Sequence, residues 1–341
     1  MSSKAFEVPP ADARRVLVIK FGGLRDFVQA LAAAKVIRDY HFGARITLLT
    51  ADEYKGFAEK CPFFDTVEVA GNASDPQQIA QLIRRVRKAK FDMVYDLECS
   101  ARTNQFYLGL KPWPPRWSGS ASNCSHPYND PERDRIHKID RFADQLHAAG
   151  LGPPGGWPAG GGPLPDLSWV RMSHRDPPRL QPGFFSLKQP YVLLIPGADV
   201  ERPDHLWPIE KYSELSRQLV ARGLGVAVIG GPAEREIGVS ISRAEPKARN
   251  LVSRTDLFQV AALAERAAAV VGDDSGPMHI AAAAGAPCVV LYAADQETAL
   301  VAPRGRAGVL KLLAPYLGDL PVGDVIRAIG NLGALPAPVH A

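Results

Sequence analysis

The stretch ERAAAVVGDDSGPMHIAAAAGAPCVVLY, residues 265–292, decides the fold class. An apolar strand ends at Val271, and Gly272-Asp273-Asp274-Ser275-Gly276 follows. An alanine-rich helix comes next, then Gly285 and a second apolar strand to Tyr292. Strand, helix and strand at this length make one βαβ unit. Its first turn carries carboxylates, a hydroxyl and a glycine to a helix N-terminus. The unpaired N–H groups and positive dipole end of such a helix suit a phosphate group. The pattern points to a nucleotide or another phosphorylated ligand.

The same rhythm runs through the rest of the chain. RVLVIK at 15–20 is a continuous apolar run, as in a strand buried on both faces. Phe21–Asp26 makes a turn, and 27–40 has helical periodicity through Phe27, Leu31, Ala34 and Ile37. ARITLLT (44–50), TVEVA (66–70) and FDMVYDLE (91–98) read as strands, and residues 79–90 as a basic amphipathic helix. After residue 190, YVLLIPG and GVAVIGG are strands separated by the helix PIEKYSELSRQLVARG. A helix follows in NLVSRTDLFQVAALAERA, and VGDVIRAIGNLG gives the last one. Alternation at this spacing predicts parallel α/β sheets. Between the two blocks, residues 111–189 are rich in proline and glycine and read as loop and linker, with one helix at about 134–149. Two Rossmann-like domains facing across a cleft are expected, with the boundary at 175/176.

At 341 residues the chain is long enough for two such cores. Its formal charge of +4, with no long Lys/Arg block, is too weak to argue for nucleic acid. Four scattered cysteines, without CxxC or Cys/His spacing, predict neither a metal site nor a disulfide framework. The N-terminal stretch lacks the apolar region of a signal peptide, and no run of about 18 apolar residues occurs anywhere. A cytoplasmic protein is the expectation.

Ligands in such folds lie beyond the carboxyl ends of the strands. That rule selects three turns. In the first, Gly22 and Gly23 allow close approach, and Asp26 is either a first-turn helix acid or a general base that takes a proton from a hydroxyl. In the second, Pro196–His205, the cations Arg202 and His205 can neutralise a diphosphate, or the segment is a solvated loop. In the third, Asp274 and Ser275 are candidates to cap the helix, Gly276 admits a phosphate, and His279 follows one turn on. Glu234, after the next strand, is a ribose acceptor or a helix acid answering the dipole.

Together these residues resemble glycosyltransferase family 9, the lipopolysaccharide heptosyltransferases of GT-B fold. RVLVIKFGGLRDFVQALAAAKVIRDYHFGARITLLT (15–50) is similar to the family's opening strand, turn, Asp and helix. IPGADVERPDHLWPIEKYSELSRQLVARGLGVAVIGGPAERE (195–236) resembles the start of its donor domain. Asp274-Ser275-Gly276-Pro277-Met278-His279 matches its D-[TS]-G-x-x-H signature, and HKIDRFADQLHAAGL (137–151) its inter-motif helix. The resemblance implies an N-terminal acceptor domain and a C-terminal donor domain. It also implies transfer of a heptose from ADP-heptose to a lipid-linked saccharide, with inversion and Asp26 as base. Gly22, Gly23, Arg202, His205, Glu234, Asp274, Ser275, Gly276 and His279 then fall on the donor side. No metal or other cofactor is implied. The basic helix is either a solvated face or fits transient contact with the inner face of the inner membrane.

The chain departs from the family pattern in four places. Arg25 replaces a small residue beside Asp26, where it adds a cation that lowers the acid's pKa or binds an acidic group of the acceptor. His205 stands where the family has a lysine, which makes leaving-group stabilisation pH-dependent. The loop Tyr292-Ala293-Ala294-Asp295-Gln296 differs from the family's, as does the insertion at 151–165. A nucleotide-sugar epimerase of similar fold and a catalytically silent nucleotide-binding homologue are the alternatives.

Overall fold

The computed structural model describes residues 12–71, 76–173, 177–197, 202–295 and 298–335. Two compact units divide between Pro165 and Asp166. The first begins with β1 (Arg15–Ile19), α1 (Leu24–Tyr40), β2 (Arg45–Thr50), α2 (Lys55–Ala58), β3 (Thr66–Val69) and α3 (Pro76–Ala89). It continues with β4 (Met93–Asp96), α4 (Ala101–Leu110), β5 (Arg116–Gly119), β6 (His126–Pro127) and α5 (Lys138–Ala148). The second holds α6 (Trp169–Ser173), β7 (Tyr191–Ile195), α7 (Ile209–Ala221), β8 (Gly225–Val228), α8 (Arg235–Ala244), β9 (Arg249–Asn250) and α9 (Leu257–Arg266). Then come β10 (Ala269–Asp273), α10 (Gly276–Ala284), β11 (Cys288–Ala293), α11 (Thr298–Val301), β12 (Val309–Ala314) and α12 (Val322–Asn331).

Each unit is built on a six-stranded sheet, in order β3-β2-β1-β4-β5-β6 in the first and β9-β8-β7-β10-β11-β12 in the second. Every pairing is parallel. Both orders are the 3-2-1-4-5-6 of the Rossmann fold, so the expected class, two Rossmann-like α/β units, is the observed one. The strand order reverses between β1 and β4 and again between β7 and β10. In open α/β sheets such switch points are where ligand crevices form.

Continuous apolar runs gave the central strands because helices cover both faces of each sheet. β4, β7, β10 and β11 are buried at every position. α1 buries Phe27, Leu31, Ala34 and Ile37 as its spacing predicts, and α10 buries Met278 through Ala284. At Gly272 a Cβ would stand 2.3 Å from the Ile195 carbonyl oxygen, so only glycine lets β10 lie this close to β7. α10 ends on Gly285 at φ +87, a left-handed cap that favours glycine.

The structure differs from expectation in four places. The units divide upstream of residue 175, because Leu167 N donates to Ala283 O (3.0 Å) and the Trp169 ring meets Phe258 edge-on. The helix expected from 134 starts at Lys138, where His137 Nδ1 accepts from Ile139 N at 3.1 Å; a 3-10 turn occupies Pro131–Arg135. The strand expected to end at Val271 runs on to Asp273. β5 and β6 lie in the stretch read as linker, and β12 was not expected, being a half-exposed edge strand without a buried run.

Candidate functional site

The first unit gathers charge at its switch point. β1 ends at Ile19, and the Lys20 side chain that follows is buried. Gly23 is the N-cap of α1 and has no side chain to offer, so Asp26 sits in the uncapped first turn as its acid. Asp26 Oδ1 accepts from Lys138 Nζ on α5 at 2.6 Å, and Oδ2 lies 4.0 Å from Lys20 Nζ. Lys20 Nζ donates to Glu98 Oε2 at 2.6 Å. The same oxygen accepts from the backbone N–H groups of Phe21 (3.1 Å) and Gly22 (3.2 Å).

Burial raises the pKa of Asp26, but the surrounding cations together outweigh it, the hydrogen bond and charge of Lys138 foremost. Lys20 and Arg25 add to that effect, and the acid is held below its ordinary value. Arg25 therefore acts in the direction expected, although Lys138 is the stronger cation. The carboxylate is about one quarter exposed, so it is both ionised and reachable. Gly22 matters for space: a Cβ there would stand 2.5 Å from Asp26 Oδ2 and 2.8 Å from its Cβ. A Cβ added at Gly23 would meet nothing within 4 Å among the described residues.

In the second unit the switch point is organised by Asp273, the buried last residue of β10. Its Oδ2 accepts from Gly197 N at 2.8 Å and its Oδ1 from Trp207 N at 3.2 Å. These bonds fasten the segment after β7 to the end of β10. Burial pushes the Asp273 acid up to about 7, and the neighbouring Asp274 charge pushes the same way. In the first unit Asp96 ends β4 in the matching place. Burial pushes it up to about 6, and its Oδ1 accepts from the N–H groups of Glu98 (3.1 Å) and Cys99 (3.0 Å).

Ser275 is the N-cap of α10, yet its side chain makes no capping bond. Its buried Oγ has no hydrogen-bond partner among the described residues. That corrects the expectation for Ser275, whose hydroxyl does not cap the first N–H groups of α10. Gly276 is the first residue of this helix. Asp274 Oδ1 lies 3.3 Å from Tyr292 Oη and 3.8 Å from His279 Nε2, and His279 is buried. His205 closes a 3-10 turn, with Nε2 3.0 Å from Asp295 Oδ2, and Arg202 is exposed just before it. Glu234 Oε2 accepts from Gly231 N at 2.6 Å, which engages one carboxylate oxygen with its own turn. Two open hollows of about 440 and 420 Å³ lie instead around residues 186–188 and 247–250, near the starts of β7 and β8 and along β9. They do not coincide with these side chains.

The structure thus brings Gly22, Gly23, Arg25 and Asp26 together in one unit. Arg202, His205, Asp274, Ser275, Gly276 and His279 flank the switch point of the other, with Glu234 beyond the neighbouring strand β8. Sequence reasoning missed Lys20, Glu98, Lys138 and Asp273. Lys20 carried a signal, because a charge closing a fully buried strand needs a partner. Among the described residues, no group of three or more His, Cys, Asp or Glu could hold a metal ion. Nor is any helix among them long and apolar enough to cross a membrane.

Comparison with known proteins bears on the fold and the family. Lipopolysaccharide heptosyltransferase 2 of Salmonella typhimurium is 33% identical over 136 residues, which cover 38% of this chain and 39% of that protein. The chain thus matches about two fifths of that relative's length. Among solved structures, a glycosyl transferase family 9 protein from Veillonella parvula superposes with a TM-score of 0.77 at 19% identity, covering 94% of this chain and 97% of that one. The Escherichia coli ADP-heptose lps heptosyltransferase II gives 0.74 at 20% identity, covering 93% and 98%. The sequence model of glycosyltransferase family 9 (heptosyltransferase) matches residues 79–310, and the chain belongs to that family.

Proposed function

We propose that this chain is an inverting glycosyltransferase. It moves a heptose from ADP-heptose to a hydroxyl of a lipid-linked, lipopolysaccharide-core saccharide, with Asp26 as general base. The observation that carries this reading is an ionised, part-exposed carboxylate at a Rossmann switch point, flanked by Lys138 and Lys20. The donor is chosen from the name of the ADP-heptose transferase whose fold this chain shares.

In the proposed step Asp26 takes the proton of the acceptor hydroxyl as its oxygen attacks the anomeric carbon. The bond to the ADP diphosphate breaks on the opposite face, and the configuration inverts. The N-terminus of α10, with Ser275 and Gly276, receives the departing negative charge, assisted by Arg202 and His205. Glu234 keeps one carboxylate oxygen for a ribose hydroxyl, and Asp274, fixed near Tyr292 and His279, orients the sugar. Gly22 and Gly23 give the donor close approach to the Asp26 turn. The reading assigns charge neutralisation to these groups rather than to a metal ion. Contact with an anionic bilayer at the cytoplasmic face belongs to the same reading, supported by Arg84, Arg87 and Lys88, exposed on one face of α3.

ADP release from ADP-heptose, with a purified lipopolysaccharide-core acceptor, tests the proposal. Asp26→Asn is expected to slow turnover by about 10²–10⁴-fold, the range for loss of a general base. Calorimetric ADP binding, preferred over UDP and GDP with or without magnesium, should survive that substitution. Wild-type turnover in Asp26→Asn removes the base assignment, and a preference for UDP removes the ADP-heptose donor.

A further inference from the structure

Lys20 follows directly on β1, with its side chain buried, and its nearest charged group is Glu98 at 2.6 Å rather than Asp26 at 4.0 Å. Glu98 is itself fixed. Its backbone N–H donates to the buried Asp96 carboxylate, and Oε2 collects Lys20 Nζ and the N–H groups of Phe21 and Gly22. Gln145 Nε2 on α5 donates to the Asp96 carbonyl at 3.0 Å, which ties the end of β4 to the helix that presents Lys138. One carboxylate thus grips both the lysine and the backbone of the turn that leads to Asp26.

From this geometry we propose that Lys20 and Glu98 form a positioning pair. Glu98 draws the lysine charge away from Asp26 and so keeps that acid basic enough to accept a proton. The inference rests on the reading of Asp26 as general base. Asp26 already has a full ion pair with Lys138. A second lysine closing to contact would stabilise the carboxylate further and weaken it as a base. The charged and titratable groups facing Asp26 are Lys138 from α5, Lys20 after β1, Arg25 on α1 and Tyr54 after β2. Glu98 after β4 acts through Lys20, and Arg102 of α4 faces Glu98 in turn.

The test is a cycle of Lys20→Met, Glu98→Gln and the double variant, read as kcat, KM and the pH profile of kcat/KM for ADP-heptose. Loss of the cation should move the acid limb of Lys20→Met up by about one pH unit, while Lys20→Arg leaves it near the wild-type position. Glu98→Gln frees Lys20 toward Asp26, so kcat should fall several-fold with donor KM little changed. In the Lys20→Met background the same substitution should cost almost nothing in kcat. If Lys20→Met alone fails to fold, the double variant, neutral at both places, still reports the limb, which should again sit above wild type. An acid limb that stays put in the folded variants, with equal Glu98→Gln losses in both backgrounds, overturns the proposal. Unimpaired turnover in Asp26→Asn would instead remove the base reading beneath it, so the two failures are distinguishable.

Discussion

Asp26 shows how one side chain depends on its immediate neighbours. Lys138 makes the strongest interaction that lowers its pKa, at 2.6 Å, so Lys138→Met should raise that pKa. The acid limb of kcat/KM should then move up, as pH profiles of the two proteins would reveal. The pair also has a stability consequence of fixed sign. A carboxylate with a depressed folded pKa stabilises above its unfolded pKa, and that stabilisation is lost as pH falls through the folded value. Gly22 acts by shape. In Gly22→Ala the new methyl would meet Asp26 Oδ2 at 2.5 Å and push the carboxylate out of line. Turnover should drop at least tenfold, since misplacement of a reacting group by about 1 Å has effects of that size or larger.

At the scale of elements, the two units solve one problem in the same way. An acid at the end of the fourth strand of each sheet, Asp96 or Asp273, accepts backbone N–H groups of the loop it must hold. Asp273 is the more deeply perturbed, pushed up to about 7 by burial. Its folded pKa lies above its unfolded value near 4, so its contribution to stability is fully present below that value. The contribution is lost as pH rises through about 7. Denaturant melts from pH 4 to 8 should show wild type losing a few kcal/mol relative to Asp273→Asn, and equal slopes would refute this. Much of this layer was legible beforehand. β1, β7, β10 and β11 are apolar runs that helices cover on both faces, and Asp26 stood out after a Gly-Gly turn. The rest is tertiary. Lys138 lies 112 residues from Asp26 along the chain, and nothing local in HKIDRF announces that its lysine faces that turn. β5 reads RWSG, with no run to detect, and becomes a strand because β4 offers it a parallel ladder.

For the molecule as a whole, the charge of +4 matters through its placement. No Asp or Glu occurs between residues 76 and 91, while Arg84, Arg85, Arg87, Lys88 and Lys90 are all exposed. Arg87 donates to the carbonyls of Gly109 and Lys111, which joins this basic face to the loop that carries Trp113, 86% exposed. That loop joins α4 to β5, at the edge where the strands begin, whereas Asp26 stands at the edge where they end. A bilayer met along the side of α3 would therefore leave the Asp26 turn open to an acceptor headgroup. Cation-rich helices beside an exposed tryptophan suit the interface of an anionic membrane. The protein should co-sediment with vesicles rich in phosphatidylglycerol, be released at about 0.5 M salt, and ignore neutral phosphatidylcholine vesicles. Arg84→Glu/Arg87→Glu/Lys88→Glu should abolish binding to the anionic vesicles without changing ADP affinity. A blue shift of tryptophan emission on binding should disappear in Trp113→Ser. If the charge-reversed protein still sediments, α3 is a solvated face and contact with the membrane, where it occurs, is made elsewhere.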